Sequence, residues 1–243
     1  MKMSEQTASR ILNDIADGAF AVGEPLPAEA QLAETYSVSR LTVREAIVSL
    51  ASRGVVEVRH GKRSTVAPVA SWSVLDPAIL MLRGRLTEDS ARLVMELIEA
   101  RRVLEIAFAR LAATRITDAE IADLRCHLGA MVEALDDDDA LRSAQADLRF
   151  HRGIVEAAGN PFLAGSYAPL EHVLMAVRIK TSTPRSVRQD AITWHGRILE
   201  ALEARDPARA AAAMQGHMDQ TADAASGMDL GRPEASANSF GGI

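Results

Sequence analysis

Cysteine is nearly missing from this chain: Cys126 stands alone among 243 residues. One thiol excludes an internal disulfide and suits a reducing cytoplasm. Aromatic residues make up only 4% of the chain while Ala, Leu, Arg and Glu abound, so helix should dominate. No apolar run is long enough to cross a bilayer, and no signal-peptide core opens the chain. The expectation is a soluble cytoplasmic protein with no membrane partner. What is present is an ordinary globular composition, 48% apolar and 25% charged, in a length that holds one large domain or two ordinary ones. The net charge of −6 is unevenly spread. Residues 1–70 carry 8 basic and 8 acidic residues, so the whole negative excess lies beyond them. A neutral, arginine-clustered start beside an acidic remainder suggests two tasks in two places.

Three short helices and a hairpin are expected between Thr7 and Pro68. In "TASRILNDIADGAF" the residues Ala8, Ile11, Leu12 and Ile15 keep helical spacing, and Gly18 is a stop. "VGEPLP" breaks the chain, and "PAEAQLAETY" follows with Pro27 opening a helical turn and Leu32, Ala33 and Tyr36 inward. Ser37 and Val38 form a tight connection, and Ser39 can cap a third helix whose Val43, Ala46, Ile47 and Leu50 face a core. The spare face at its start presents Arg40, Leu41, Thr42 and Arg44. Two helices joined so tightly, the second opening with basic and hydroxyl groups, describe a helix-turn-helix. An arginine fork there can grip a guanine edge or a phosphate bidentately. The β-branched run "GVVEVRHGKRSTVAP" then turns at His60, Gly61 and Lys62, and its tip, Arg59 to Arg63, is the densest positive cluster in the chain. A basic hairpin beside a recognition helix is a wing that suits an adjacent phosphate or minor groove.

The stretch from Leu26 to Val66 closely resembles the DNA-binding domain of the GntR superfamily, through its Leu-Pro-x-Glu, Val-Ser-Arg-x-x-Val-Arg-Glu-Ala and His-Gly-Lys elements. The resemblance implies that Arg40, Thr42 and Arg44 read the major groove and that His60 and Gly61 sit at the minor groove. Many members carry arginine after the Glu of Leu-Pro-x-Glu where this chain has Ala30, so any contact made there by relatives is absent and no operator sequence carries over.

Residues 71–86 read as a linker, with Trp72, Leu75 and Ile79 as an anchor onto a second domain spanning 87–228. That domain should be a six- to seven-helix antiparallel bundle, with helices near Thr87–Arg115, Asp118–Leu135, Asp139–Ala158, Pro161–Thr181, Arg185–Ala204 and Pro207–Ala225. The acidic run from Asp136 to Asp139 is expected to be a solvated loop with a helix cap. The aperiodic tail, residues 229–243, is expected to be disordered. The overall fold class is thus mainly α, a winged helix-turn-helix followed by an all-α bundle.

Within the bundle Asp147 and His151 lie four residues apart, on one helical face. His195 and His217 each lie eleven residues from Asp206, at a turn forced by Asp206-Pro207. In an antiparallel hairpin, positions equidistant from the turn reach the same height. One carboxylate and three imidazoles then suit a metal ion, though histidines hydrogen-bonded within a core fit the same spacing. His127 and His172 read as core histidines. The order Glu-Ala-Arg-x-x-x-Glu, Asp-x-x-x-His, Gly-Asn-Pro and two later histidines resembles the FCD ligand-binding domain of the FadR-type branch of GntR regulators. That resemblance implies Asp147, His151, His195 and His217 as ligands of a divalent ion such as Zn, Ni or Mn, and Arg101 as a pocket residue. A buried Arg101 would need an anionic effector or Glu105 to answer its charge. Asn160 is either a pocket donor or a helix-boundary turn residue.

The function expected is a ligand-responsive transcriptional regulator, a repressor. It would act as a homodimer on double-stranded operator DNA, with a small carboxylate effector. The linker resembles those of sugar-acid regulators in the family, which favours a hexonate or hexuronate over short di- and hydroxycarboxylates. The alternatives are a metal-dependent hydrolytic enzyme, for which no general base is recognisable, and an architectural DNA-binding protein with a structural metal.

Overall fold

In the computed structural model, which describes residues 2–59, 61–87 and 90–226, the chain forms two compact units, Met1–Glu88 and Asp89–Ile243. His60 and the tail 229–243 lie outside the described residues.

The first unit packs α1 (Met3–Ala16), α2 (Glu29–Tyr36) and α3 (Arg40–Ser52) around Ile11, Leu32, Val43, Ala46 and Leu50, all fully buried. Gly18, at φ 81°, follows α1. Helix α2 begins two residues after Pro27, which therefore precedes the helix rather than opening its first turn. Ser37 caps the end of α2 in the left-handed region at φ 55°, and Ser39 Oγ accepts from Thr42 N at 3.0 Å to start α3. The hairpin is short, β1 (Val56–Glu57) antiparallel to β2 (Thr65–Val66), with Val56 opposite Val66. Its other edge is covered by the Gly23–Leu26 segment, which bonds to β2 through Val66 N to Glu24 O and Leu26 N to Ser64 O.

Residues 71–86 are not a free linker. Asp76 Oδ1 accepts from Ala78 N and Ile79 N at 3.0 and 3.2 Å and, with Pro77 next, opens α4 (Pro77–Thr87). The anchoring expectation is corrected here. Trp72 and Ile79 are buried in the core of the first unit, and Leu75 is exposed. Trp72 Nε1 donates to Ala67 O at 2.9 Å, Arg83 Nη1 donates to Trp72 O at 2.9 Å, and Gly54 allows the close passage. A Cβ on Gly54, at φ 75°, would fall 2.2 Å from Ser71 O.

The second unit contains α5 (Ser90–Ala113), α6 (Asp118–Asp136), α7 (Ala140–Ala157), α8 (Pro161–Thr181), α9 (Arg185–Glu203) and α10 (Pro207–Ser226). Helix α5 packs against α10 and α7, α6 against α7 and α9, and α9 against α10. The shared core includes Phe108, Leu124, Phe150, Ile198, Leu202 and Met214. The boundaries follow local chemistry. Thr117 and Glu120 form a capping box before α6, Asp139 caps α7, and Asp206 Oδ1 accepts from Ala208 N and Arg209 N to cap α10. The acidic run is busier than a solvated loop: Asp137 pairs with Arg142, and Asp138, at φ 53°, with Arg188.

Candidate metal centre and nucleic-acid interface

The antiparallel pairing of α9 and α10 is fixed by a close approach at Gly216, where an added Cβ would lie 2.2 Å from the Trp194 ring. The next residues along, His195 and His217, meet with ring centroids 4.4 Å apart. His151, on α7, lies 5.1 Å from each of those rings, and Asp147 sits one helical turn before it. One ligand atom from each of Asp147, His151, His195 and His217 falls within 4.8 Å of the others, and the three histidines are buried.

Hydrogen bonding decides which atoms face inward. His195 Nδ1 lies 2.7 Å from Ala191 O. A carbonyl only accepts, so the ring proton belongs on Nδ1 and Nε2 presents a lone pair. His151 Nδ1 stands 2.6 Å from Glu105 Oε2, a close contact that is not aligned as a hydrogen bond. That contact sets the Nδ1 edge of His151 against the carboxylate and turns its Nε2 edge toward His195 and Asp147. Those two Nε2 atoms are 3.1 Å apart, and Asp147 Oδ1 lies 3.1 Å from the first and 3.6 Å from the second. Three candidate ligand atoms thus face one another. Ligands at about 2.1 Å from one ion stand about 3.0 Å apart on an octahedral edge and about 3.4 Å apart on a tetrahedral one. His217 Nδ1 is buried and has no hydrogen-bond partner among the described residues. The donor set and its spacing fit a divalent cation.

A second ring of groups holds these donors. Arg178 Nη1 donates to Asp147 Oδ2, turning Oδ1 toward the imidazoles. Arg101 Nε donates to Glu105 Oε1 at 2.7 Å, and Tyr167 OH donates to the same oxygen at 2.6 Å. Burial opposes ionisation of Glu105, but Arg101 first and His151 next hold its pKa well below the ordinary carboxylate value. Burial, then the neighbouring imidazoles, push His195 and His217 well below the usual imidazole value, so both rings are neutral and ready to ligate. Arg178 is also pushed down, by burial and then by Arg101.

A cavity of about 50 Å³ opens onto Asp147 and His217 and is walled by Arg101, Arg178 and Arg188. Glu105 does answer the Arg101 charge. Asn160 stands apart from the cavity and the cluster. Its Oδ1 accepts from Phe162 N and Leu163 N at 3.1 and 3.3 Å, capping α8. His127 is half-buried and outside the cluster, and the His172 side chain lies outside the described ones. Sequence reasoning missed Tyr167, Arg178 and Arg188. A signal for Arg178 was visible in "HVLMAVRIKT", a single arginine inside an apolar stretch.

On the first unit Arg40 is exposed at the start of α3 and makes no ion pair among the described residues. Arg44, its side chain 66% exposed, is gripped through Nη2 and Nε by both oxygens of Glu29, at 2.7 and 3.2 Å. Its hydrogen bond with Glu29 lowers the Glu29 pKa. Thr42 is half-buried, its Oγ1 2.8 Å from Ser39 Oγ. At the hairpin tip Lys62 N donates to Arg59 O at 3.1 Å, closing a turn in which Gly61 has φ 73°, and Lys62 and Arg63 are exposed. Arg40, Arg44, Lys62 and Arg63 are thus open to solvent in the unit that carries the helix-turn-helix.

The model of the bacterial regulatory proteins of the gntR family matches residues 3–66, and that of the FCD domain matches residues 96–220. Among curated relatives, the HTH-type transcriptional repressor NanR of Enterobacter sp. (strain 638) is 28% identical over 220 residues, covering 90% of this chain and 83% of that protein. The galactonate operon transcriptional repressor of Escherichia coli (strain K12) is 34% identical over 150 residues, 61% of this chain and 64% of its own. Among solved structures, Streptococcus agalactiae GntR is 30% identical with a TM-score of 0.51, covering 90% of this chain and 99% of that one. Lar, which controls expression of the Listeria monocytogenes agr system, shares the fold at 18% identity and a TM-score of 0.66, covering 93% and 97%. Among the described residues no helix is long and apolar enough to cross a membrane. With both halves matched in the expected order, the chain belongs to the GntR family of bacterial transcriptional regulators, in the group that carries an FCD domain, and not to an enzyme family.

Proposed function

We propose that this chain is a ligand-responsive repressor that grips operator DNA through Arg40, Thr42, Arg44 and the His60-Gly61-Lys62 tip, and senses a small carboxylate in the helical unit. The observation that carries the sensing half is the inward triangle of Asp147 Oδ1 and Nε2 of His151 and His195, with the buried Nδ1 of His217, which has no hydrogen-bond partner among the described residues, beside it. These four residues would hold a divalent ion, and the nitrogen-rich set suits Zn, Ni or Mn. When bound, the ion supplies fixed positive charge and open coordination positions for an acid. The chain's own contribution is orientation: Ala191 O and Glu105 orient the imidazoles, Arg178 sets the Asp147 rotamer, and Arg101 adds a guanidinium to the cavity wall.

On the DNA side a homodimer would set two recognition helices about one duplex turn apart on a pseudo-palindromic site. The effector shifts the operator-binding equilibrium only by its differential affinity for the two arrangements, so a coupling of about 1–3 kcal/mol suffices. The relative named for the galactonate operon is what supports a sugar acid, whereas the small cavity favours a shorter one.

Duplexes selected from a random pool by the purified protein would supply the operator for a test. Release of that duplex by a carboxylic acid with zinc or manganese present, and its loss on chelation, is the expected result. Binding that no carboxylic acid alters would leave an architectural protein with a structural ion.

A further inference from the structure

The cavity wall carries more positive charge than a single carboxylate needs. Arg101, Arg178 and Arg188 are each no more than 4% exposed and come from three helices, α5, α8 and α9. Against them stand two inner carboxylates, Glu105 and Asp147, and the outer Asp138, which is 69% exposed, accepts from Arg188 Nη2 and lies 3.9 Å from the exposed Arg185 at the rim. Buried Glu171 is committed elsewhere, to Arg152 at 2.8 Å. The three guanidiniums and three carboxylates therefore cancel. A divalent ion adds two positive charges to this balance, so a monoanion leaves one uncompensated inside the unit and a dianion leaves none.

Arg188 offers a place for the second anionic group. Its Nη1 donates to Ser182 O and Thr183 O, each at 2.8 Å, which fixes the guanidinium against the α8–α9 connection. Its Nε is buried and has no hydrogen-bond partner among the described residues, an unmet donor on a residue of the cavity wall. Ser143 and Thr221 add hydroxyls to the same wall. Size argues in the same direction. The cavity is small, about 50 Å³, so a short acid needs less opening of its wall than a six-carbon polyol acid does.

We propose that the acid sensed is a short dicarboxylate, with one carboxylate at the Asp147–His151–His195–His217 cluster and the other on Arg188 and Arg178. This rests on the reading of that cluster as an ion site that receives a carboxylate. It makes Arg188 a specificity-determining residue, one that selects for the second charge.

The test uses the zinc-loaded full chain and isothermal titration with malate, 3-hydroxybutyrate and galactonate. Malate and 3-hydroxybutyrate share a four-carbon chain and a hydroxyl, and differ by one carboxylate exchanged for a methyl. The expected result is malate bound at least roughly thirtyfold more tightly than 3-hydroxybutyrate. Equal affinities, or galactonate bound more tightly than malate, would overturn the dianion while leaving a carboxylate sensor in place. No binding of any of the three by protein with stoichiometric zinc would sink the carboxylate reading and the inference with it. Arg188→Gln should cut the malate preference to within about threefold at unchanged zinc content. A preference kept in full would remove Arg188 from the role. If that variant does not fold, the wild-type pair of titrations decides alone.

Discussion

Replacing Glu105 with Gln removes one charge from a deeply buried polar cluster of the helical unit. Glu105 and Arg101 have side chains 2% and 4% exposed, joined at 2.7 Å, with Tyr167 OH on the same oxygen and His151 behind the other. The amide keeps the shape and can still accept one hydrogen bond, but it leaves the Arg101 charge buried without a counter-ion. Breaking a buried pair in this way costs about 3–5 kcal/mol, and the retained acceptor places the loss near 3. The same change frees the His151 ring from its carboxylate, which should weaken metal affinity about 10- to 100-fold. Urea unfolding of the chelated protein measures the first effect. Trp72 reports the first unit and Trp194 the second, and a Trp72→Phe background isolates the latter. Competition with a fluorescent zinc chelator measures the second effect. Arg101→Met with Glu105→Leu removes both charges and should return the unit to within about 1 kcal/mol of wild type. A Glu105→Gln loss below about 1 kcal/mol, or a double variant worse than either single one, would refute the reasoning.

Arg40→Ala should weaken specific operator binding by roughly 1–3 kcal/mol if its fork meets a base edge; an unchanged gel-shift titration would remove it from the reading face. Pairing with Arg44 holds Glu29 below the ordinary value of 4.5, so its stabilisation is fully present above that value and fades as pH falls through the lowered pKa. Wild type should melt slightly above Glu29→Gln at neutral pH, with the margin closing in acid; equal neutral melts would mean that the pair adds nothing. Gly216→Ala drives a methyl into the Trp194 ring and should spread α9 from α10, costing about 1–3 kcal/mol and lowering zinc affinity; normal zinc binding would show that the ring moves aside freely.

The meeting of Asp147, His151, His195 and His217 was legible because two simple periodicities produce it. Asp147 and His151 share a face through the helical repeat, and His195 and His217 meet because Asp206 caps α10 at the midpoint of an antiparallel hairpin. The recognition helix was legible for a similar reason: Ser39 caps it and the Val43, Ala46, Ile47, Leu50 stripe is fully inward. Long-range partners were not legible. The packing of Trp72 onto the first unit depends on Gly54 allowing residue 71 to pass, which no local pattern announces. Arg178 and Arg188 reach their partners, Asp147 and Asp138, across 31 and 50 residues, and the pairing of Arg44 with Glu29 spans two helices. Asn160 reads from sequence as either a pocket donor or a turn residue, and its Oδ1 accepts from two backbone N–H groups at the start of α8.

In the proposed sensor, four side chains of the helical unit converge on one ion. Anomalous scattering from crystals of the full chain grown with zinc or manganese tests it most directly. One peak is predicted within about 2.0–2.2 Å of Asp147 Oδ1, of Nε2 on His151 and His195, and of a ring nitrogen of His217. A peak elsewhere, or none in excess metal with these side chains still in place, would contradict the account.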